Sequence, residues 1–160
     1  MNMSNQIYLA APFFSPKQEE RIRTVQNLLA KNPTLDKKNI FIPMEHQMES
    51  EEFGSFRWQT GVFGSDMRQV HRADAVVAIL DYKLDVDGLN QPDSGTIFEI
   101  GAAFEANIPV IMVQFQQDQE LNLMLSRSYT AFFNGSDAIK QLETYNFNDL
   151  PTIFSDVKVF

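Results

Sequence analysis

The chain has 160 residues, no cysteine and a formal charge of −8. Its length suits one domain with a full core, spanning residues 1–160. The absence of cysteine excludes thiol catalysis, disulfides and cysteine-zinc sites, and the negative charge argues against binding nucleic-acid phosphates. Ile7 to Ala11 reads as a buried strand closed by Pro12. Ser15-Pro16 opens a helix, serine as cap and proline at the first helical position. Ile22, Val25, Leu28 and Leu29 repeat at helical spacing until Asn32-Pro33. Ile40 to Ile42 is a second strand, stopped at Pro43, and an acidic, mobile-looking stretch runs from Glu45 to Glu52. A helix is expected from about Trp58 to Arg72. Ala75 to Leu80 is a continuous apolar run, the mark of a central parallel strand buried on both faces. A polar loop follows from Asp81 to Ser94, then a helix. Val110 to Val113 is a fourth strand, Leu121 to Ser126 a short helix, Thr130 to Phe133 a fifth strand, and Ala138 to Tyr145 a final helix.

Strands alternating with helices imply a flavodoxin-like, doubly wound α/β fold, with a mainly parallel five-stranded sheet and helices on both faces. In such sheets ligands bind beyond the carboxyl ends of the strands. That rule selects Pro12 to Phe14, Glu45 to Gln47, and Asp81 to Asp93. Hydrophobic content of 44% is ordinary for a globular protein, while fourteen phenylalanines suggest a rich core or an apolar subunit interface. Met1 to Gln6 is short and polar and does not read as a leader, and no apolar run approaches a membrane span. A soluble, cytoplasmic protein without membrane or nucleic-acid partners is expected.

The most unusual residue is Glu99, early in the helix that follows Asp93-Ser94-Gly95. Projected at 100° per residue, Ile97, Ile100, Gly101 and Phe104 share one face, and Glu99 points the opposite way, toward Ala102, Ala103 and Ala106. Carboxylates are rarely set among alanines and phenylalanines unless something pairs or uses them. Two readings stand at this point: a glutamate answering the helix dipole, or a functional anion kept ionised in a dry site. Gln47, Asp66 and Asp93 also have two readings. Each fits a loop or a cap, Asp93 in particular as the cap of the next helix. With Glu99 they also offer what an N-glycosidic bond requires, an ionised carboxylate at the anomeric carbon and an acid or amide at the departing base.

Other chemistries are not supported. There is no phosphate loop, no dinucleotide fingerprint and no G-x-G. Ser94 lacks the glycine a nucleophile elbow needs. A calcium loop beginning at Asp85 fails, since its sixth position is Asn90 and its twelfth Thr96. His46 and His71 are not spaced as a metal pair and read as surface or supporting residues. Asp81, Asp85 and Asp87 read as a solvated loop.

Over nearly its whole length the chain resembles the nucleoside 2-deoxyribosyltransferases. The likeness is carried by Ile7-Tyr8-Leu9-Ala10-Ala11-Pro12-Phe13-Phe14, Pro43-Met44-Glu45-His46-Gln47 and Ser65-Asp66. It continues through Asp93-Ser94-Gly95-Thr96-Ile97-Phe98-Glu99-Ile100-Gly101, Leu121-Asn122-Leu123-Met124 and Tyr145-Asn146-Phe147. The resemblance implies exchange of bases between 2'-deoxynucleosides and free nucleobases, without cofactor or metal, in nucleotide salvage. By position, Glu99 would be the nucleophile forming a covalent deoxyribosyl-enzyme, and Tyr8 would orient it. Asp93 and Asp66 would bind the base, Asp93 being the better candidate for protonating the leaving nitrogen. Gln47 would contact the base edge, Phe14 would line the pocket, and Met124 would belong to the substrate site. Asn122 would reach the sugar 5'-hydroxyl in a neighbouring subunit's site, within a homohexamer. Two positions depart from the family's pattern: the chain ends in Phe160 where tyrosine is common, and serine precedes Asp66 where asparagine is common. Glu52 to Phe56 looks more like members accepting purines and pyrimidines.

Two competing functions remain open. A related N-glycosidase of deoxynucleoside 5'-monophosphates would want a cationic or serine-rich phosphate cradle, whereas the stretch near the site is acidic. A nucleoside-sensing module on the same fold would tolerate loss of Glu99.

Overall fold

The structure, a computed structural model, describes residues 4–84 and 90–160. Along the chain run strand β1 (Asn5–Ala10), helix α1 (Pro16–Lys31), β2 (Leu35–Phe41), α2 (Phe56–Arg72), β3 (Ala75–Leu80), β4 (Tyr82–Leu84) and β5 (Asn90–Pro92). After them come α3 (Ser94–Glu105), β6 (Val110–Gln114), α4 (Leu123–Ser126), β7 (Ala131–Asn134) and α5 (Ser136–Ile139). β2, β1, β3, β6 and β7 form, in that order, one sheet in which every pairing is parallel. Counting only its own strands the order is 2-1-3-4-5, the flavodoxin-like arrangement.

Alternation along the strands divides the core. Ile7, Leu9, Val77, Ile79, Ile111 and Val113 face one side, where they meet Ile22, Val25 and Leu29 of α1 and Ile139 of α5. Tyr8, Ala10, Val76, Ala78 and Met112 face the other, where they meet Val70 of α2, Ile100 and Ala103 of α3, and Leu125 of α4. A period of two on strands against 3.6 on helices requires this separation. It places Tyr8 on the same side as α3.

Local signals set most boundaries. Ser15 accepts the Gln18 N–H at the start of α1, Pro16 is the first helical residue, and Asn32 ends the helix. Strand β2 begins at Leu35, five residues before Ile40; as an edge strand paired only with β1 it carries the polar Asp36-Lys37-Lys38, which hides it from a search for apolar runs. The segment read as one loop, Asp81 to Ser94, contains the antiparallel pair β4 and β5. The last expected helix is split into α5 and a 3-10 turn over Lys140–Glu143. There the Asn32 amide donates to the carbonyls of Leu142 and Tyr145, at 2.7 Å each, and ties this end of the chain to the end of α1. Among the described residues, no helix is long and apolar enough to cross a membrane.

Candidate active site

The strand order reverses beside β1, so α1 leaves on one face while α2 and α3 lie on the other. The crevice beyond the carboxyl ends of β1 and β3 is where an open α/β sheet takes its ligand. Tyr8 is fully buried, and its hydroxyl donates to Glu99 Oε1 at 2.5 Å across the gap between β1 and α3. Glu99 itself is half-buried. Burial raises its carboxyl to about 7; the bond from Tyr8 pulls the other way, and the charges of Asp66 and Asp93 push it further up. Burial, with the charges of Glu99 and Asp66, pushes the Tyr8 phenol far above the usual tyrosine range, so it remains a donor at any working pH. The group is therefore a carboxylate close to its own titration point, held by one neutral donor and pressed by two acids.

Asp93 is the cap of α3. Its Oδ2 accepts the Thr96 N–H at 3.0 Å and the Thr96 hydroxyl at 3.3 Å, and its own N–H donates to the Asp81 carbonyl. The cap reading and placement at the crevice thus hold together. Asp66 projects from α2, half-buried, and burial raises it to about 6. Its Oδ1 is buried without a hydrogen-bond partner among the described residues.

Two loops close the same edge. Phe14 follows β1, exposed, with its ring stacked on Phe13 at 5.3 Å between centroids. Gln47 follows β2 in a segment fastened to α2: Trp58 Nε1 donates to the Gln47 carbonyl at 2.8 Å, and the Gln47 amide donates to the Pro43 carbonyl, also at 2.8 Å. Met48 lies so close over Gly61 that a Cβ there would come within 2.3 Å of its sulfur. The acidic stretch is thereby anchored at Glu45 to Met48.

Among the described residues, no hydrogen bond joins Asn122 to Glu99 of the same chain, and Met124 faces a groove that Glu99 does not line. Asn122 caps α4, accepting the Met124 N–H at 2.9 Å, and Met124 is exposed. With Leu123 and Leu125, Met124 lines an apolar groove of about 400 Å³ whose opposite wall is Ile97, Gly101 and Phe104. That wall is the face of α3 turned away from Glu99. The buried face of α3 is formed by Thr96, Ile100 and Ala103, which leaves Phe98 and Phe104 exposed.

One reading needs correcting. Asp81 is not solvated: it is 5% exposed and paired with Arg21 Nη1 at 2.6 Å. Its place as the first polar residue after an apolar strand is the signal that was available, but its partner sits 60 positions away. Asp85 and Asp87 lie outside the described residues. Trp58 and Phe41, which hold the Gln47 segment and the Tyr8 ring, carry no motif; Trp58 is the chain's one tryptophan.

The nucleoside 2-deoxyribosyltransferase family model matches residues 7–141, most of the chain. The chain belongs to this family. A nucleoside deoxyribosyltransferase of Limosilactobacillus fermentum is 29% identical, over 98% of this chain and 95% of its own. That of Lactobacillus leichmannii is 25% identical, with 89% of each covered. The solved 2-deoxyribosyltransferase of Bacillus psychrosaccharolyticus superposes with a TM-score of 0.78 at 30% identity, over 94% of this chain and 98% of that one. The enzyme is thus a transferase of this family, with its fold.

Proposed function

We propose that the enzyme exchanges the base of 2'-deoxynucleosides by a ping-pong double displacement through a deoxyribosyl ester on Glu99. The observation that carries this is the pair of Tyr8 and Glu99: a half-buried carboxylate with one oxygen held by a phenol. With Oε1 engaged, Oε2 is the oxygen that attacks C1' of the sugar. Its bond to carbon forms as the C1'–N bond breaks, and the electron pair leaves with the base. The base needs a proton on its ring nitrogen. Asp66, raised to about 6, can hold one near neutral pH, and Asp93 stands at the start of α3 where it can deliver one. The unpartnered Oδ1 of Asp66 also suits an N–H of the base, since a buried acceptor left unmade costs about 1–3 kcal/mol. A second base reverses these steps, and two inversions restore the original configuration.

Transfer must outrun water. A carboxylate near its titration point is a competent nucleophile and leaving group but a modest base, and the phenylalanines at the mouth limit hydration. Gln47 and Phe14 supply the base edge and one wall. Because Asn122 and Met124 lie across α3 from Glu99, they serve the site of a second copy. The exposed apolar groove beside them is the surface along which copies join, as a hexamer.

The test is incubation of the pure enzyme with 2'-deoxyinosine, with and without adenine, beside Glu99→Ala. Deoxyadenosine formed only with adenine and only by the native chain supports transfer. Hypoxanthine released equally without adenine would make the enzyme a hydrolase instead.

A further inference from the structure

The ring of Tyr8 does not stand alone. It stacks on Phe41, at 5.7 Å between centroids and 17° between planes, and Phe41 stacks in turn on His46, at 4.5 Å and 11°. Tyr8 is buried, Phe41 half-buried and His46 exposed, so the three rings run from the interior to the surface. Phe41 is the last residue of β2, where it pairs with Tyr8 in the parallel register. His46 ends the 3-10 turn over Pro43–Glu45, donating its N–H to the Pro43 carbonyl at 3.0 Å, and Gln47 is the next residue. The inner end of the stack therefore touches the partner of the nucleophile, and the outer end touches the segment assigned to the base.

We infer that Phe41 and His46 are positioning residues for the transfer: Phe41 fixes the Tyr8 phenol against Glu99, and His46 fixes the Gln47 segment against the same ring. The inference deepens the proposed function and rests on it for the meaning of Gln47. Its physical basis is separate. A tyrosine hydroxyl lies on the axis of its own ring, so spinning the ring leaves the oxygen in place, while a sideways slide of the ring moves it. A flat neighbour across one face resists that slide, and stacked rings at these separations attract each other. A leucine at position 41 keeps apolar volume but offers no face. The other anchors of the segment, Arg23 on Glu45 and Trp58 on the Gln47 carbonyl, hold the chain path from outside the stack.

The experiment follows the Glu99 carboxyl by carbon-13 NMR titration in the native chain, Phe41→Leu and Phe41→Tyr, beside base-exchange kinetics that include His46→Ala. Phe41→Leu should raise the Glu99 midpoint by about half a pH unit or more, because a misplaced donor no longer favours the ionised form. It should also lower kcat about three- to tenfold, and Phe41→Tyr should restore both. His46 is exposed, so its removal leaves folding intact; His46→Ala should raise the KM of the acceptor base about threefold or more with kcat held. A Phe41→Leu protein that unfolds cooperatively yet keeps the native Glu99 midpoint would overturn the inference, and so would His46→Ala lowering kcat at unchanged KM. Absence of exchange by the native chain would sink the functional reading, while the titration would still decide whether Phe41 positions Tyr8.

Discussion

Replacing Glu99 by glutamine should make the fold more stable in a manner set by pH. The Glu99 carboxyl is raised from its ordinary 4.5 to about 7, chiefly by burial. At about 1.4 kcal/mol per pH unit, ionising it in the folded chain costs about 3 kcal/mol more than in the unfolded one. Half-burial trims the figure toward about 2 kcal/mol, since solvent still relaxes around the exposed part. The folded value lies above the unfolded one, so between pH 4.5 and about 7 the native state holds more protons. Stability from this group is complete below pH 4.5 and declines as pH rises to about 7. Glutamine titrates nowhere and still offers an oxygen to the Tyr8 hydroxyl. The repulsion from Asp66 is part of the same rise and also disappears in the variant. Urea unfolding of native and Glu99→Gln proteins at pH 5, 6, 7 and 8, at one protein concentration, isolates the term as a difference between curves. The variant should be nearly equal in stability at pH 5 and ahead by about 2 kcal/mol at pH 8. A difference that stays flat across that range would refute the placement of a strained carboxylate at this position.

Three further outcomes are expected. Tyr8→Phe removes a hydrogen bond to a charged group, worth about 1.5–3 kcal/mol, so the acid limb of kcat/KM should move up by about one to two pH units, with at least a tenfold loss at pH 7 that is partly recovered at pH 9. Asp66→Asn takes away a like charge that raises Glu99, so the acid limb should move down in pH even as the KM of the base rises, a pairing that a pH-rate profile reads directly. Glu99→Ala and Asn122→Ala should each be inactive for transfer, yet subunits co-expressed one to one should regain about a quarter of the sites, because a mixed pair rebuilds one complete site from Glu99 of one copy and Asn122 of the other. Mixing that restores nothing would return Asn122 to its own chain.

What the sequence revealed depended on how local each cause was. Ser15-Pro16, the run from Ala75 to Leu80 and the capping Asp93 act within a few residues, and each is where those signals put it. Strand β2 failed at its polar start, since an edge strand answers to one neighbour and to water rather than to a buried pattern. The α3 helix has apolar residues on more than one side, so its composition does not say which side meets the sheet. Packing against the sheet takes Thr96, Ile100 and Ala103 inward and leaves Phe98 and Phe104 outside. Glu99 is conspicuous as a carboxylate among alanines, but its partner Tyr8 is 91 residues away, and no local pattern joins the two; only the family resemblance points to the pair. The pairing of Arg21 with Asp81 is of the same kind. Long-range pairs are products of topology, and the residues that support a site without touching substrate, such as Phe41 and Trp58, leave no spacing to find.

The most direct measurement is mass spectrometry of the enzyme mixed with a 2'-deoxynucleoside and no acceptor base, quenched in acid and digested. The account predicts release of free base together with a peptide heavier by one deoxyribosyl group, the added mass located at Glu99, discharged when adenine is supplied and absent in Glu99→Gln. Base exchange proceeding at full rate with no adduct at any time, or with the adduct on another residue, would contradict it.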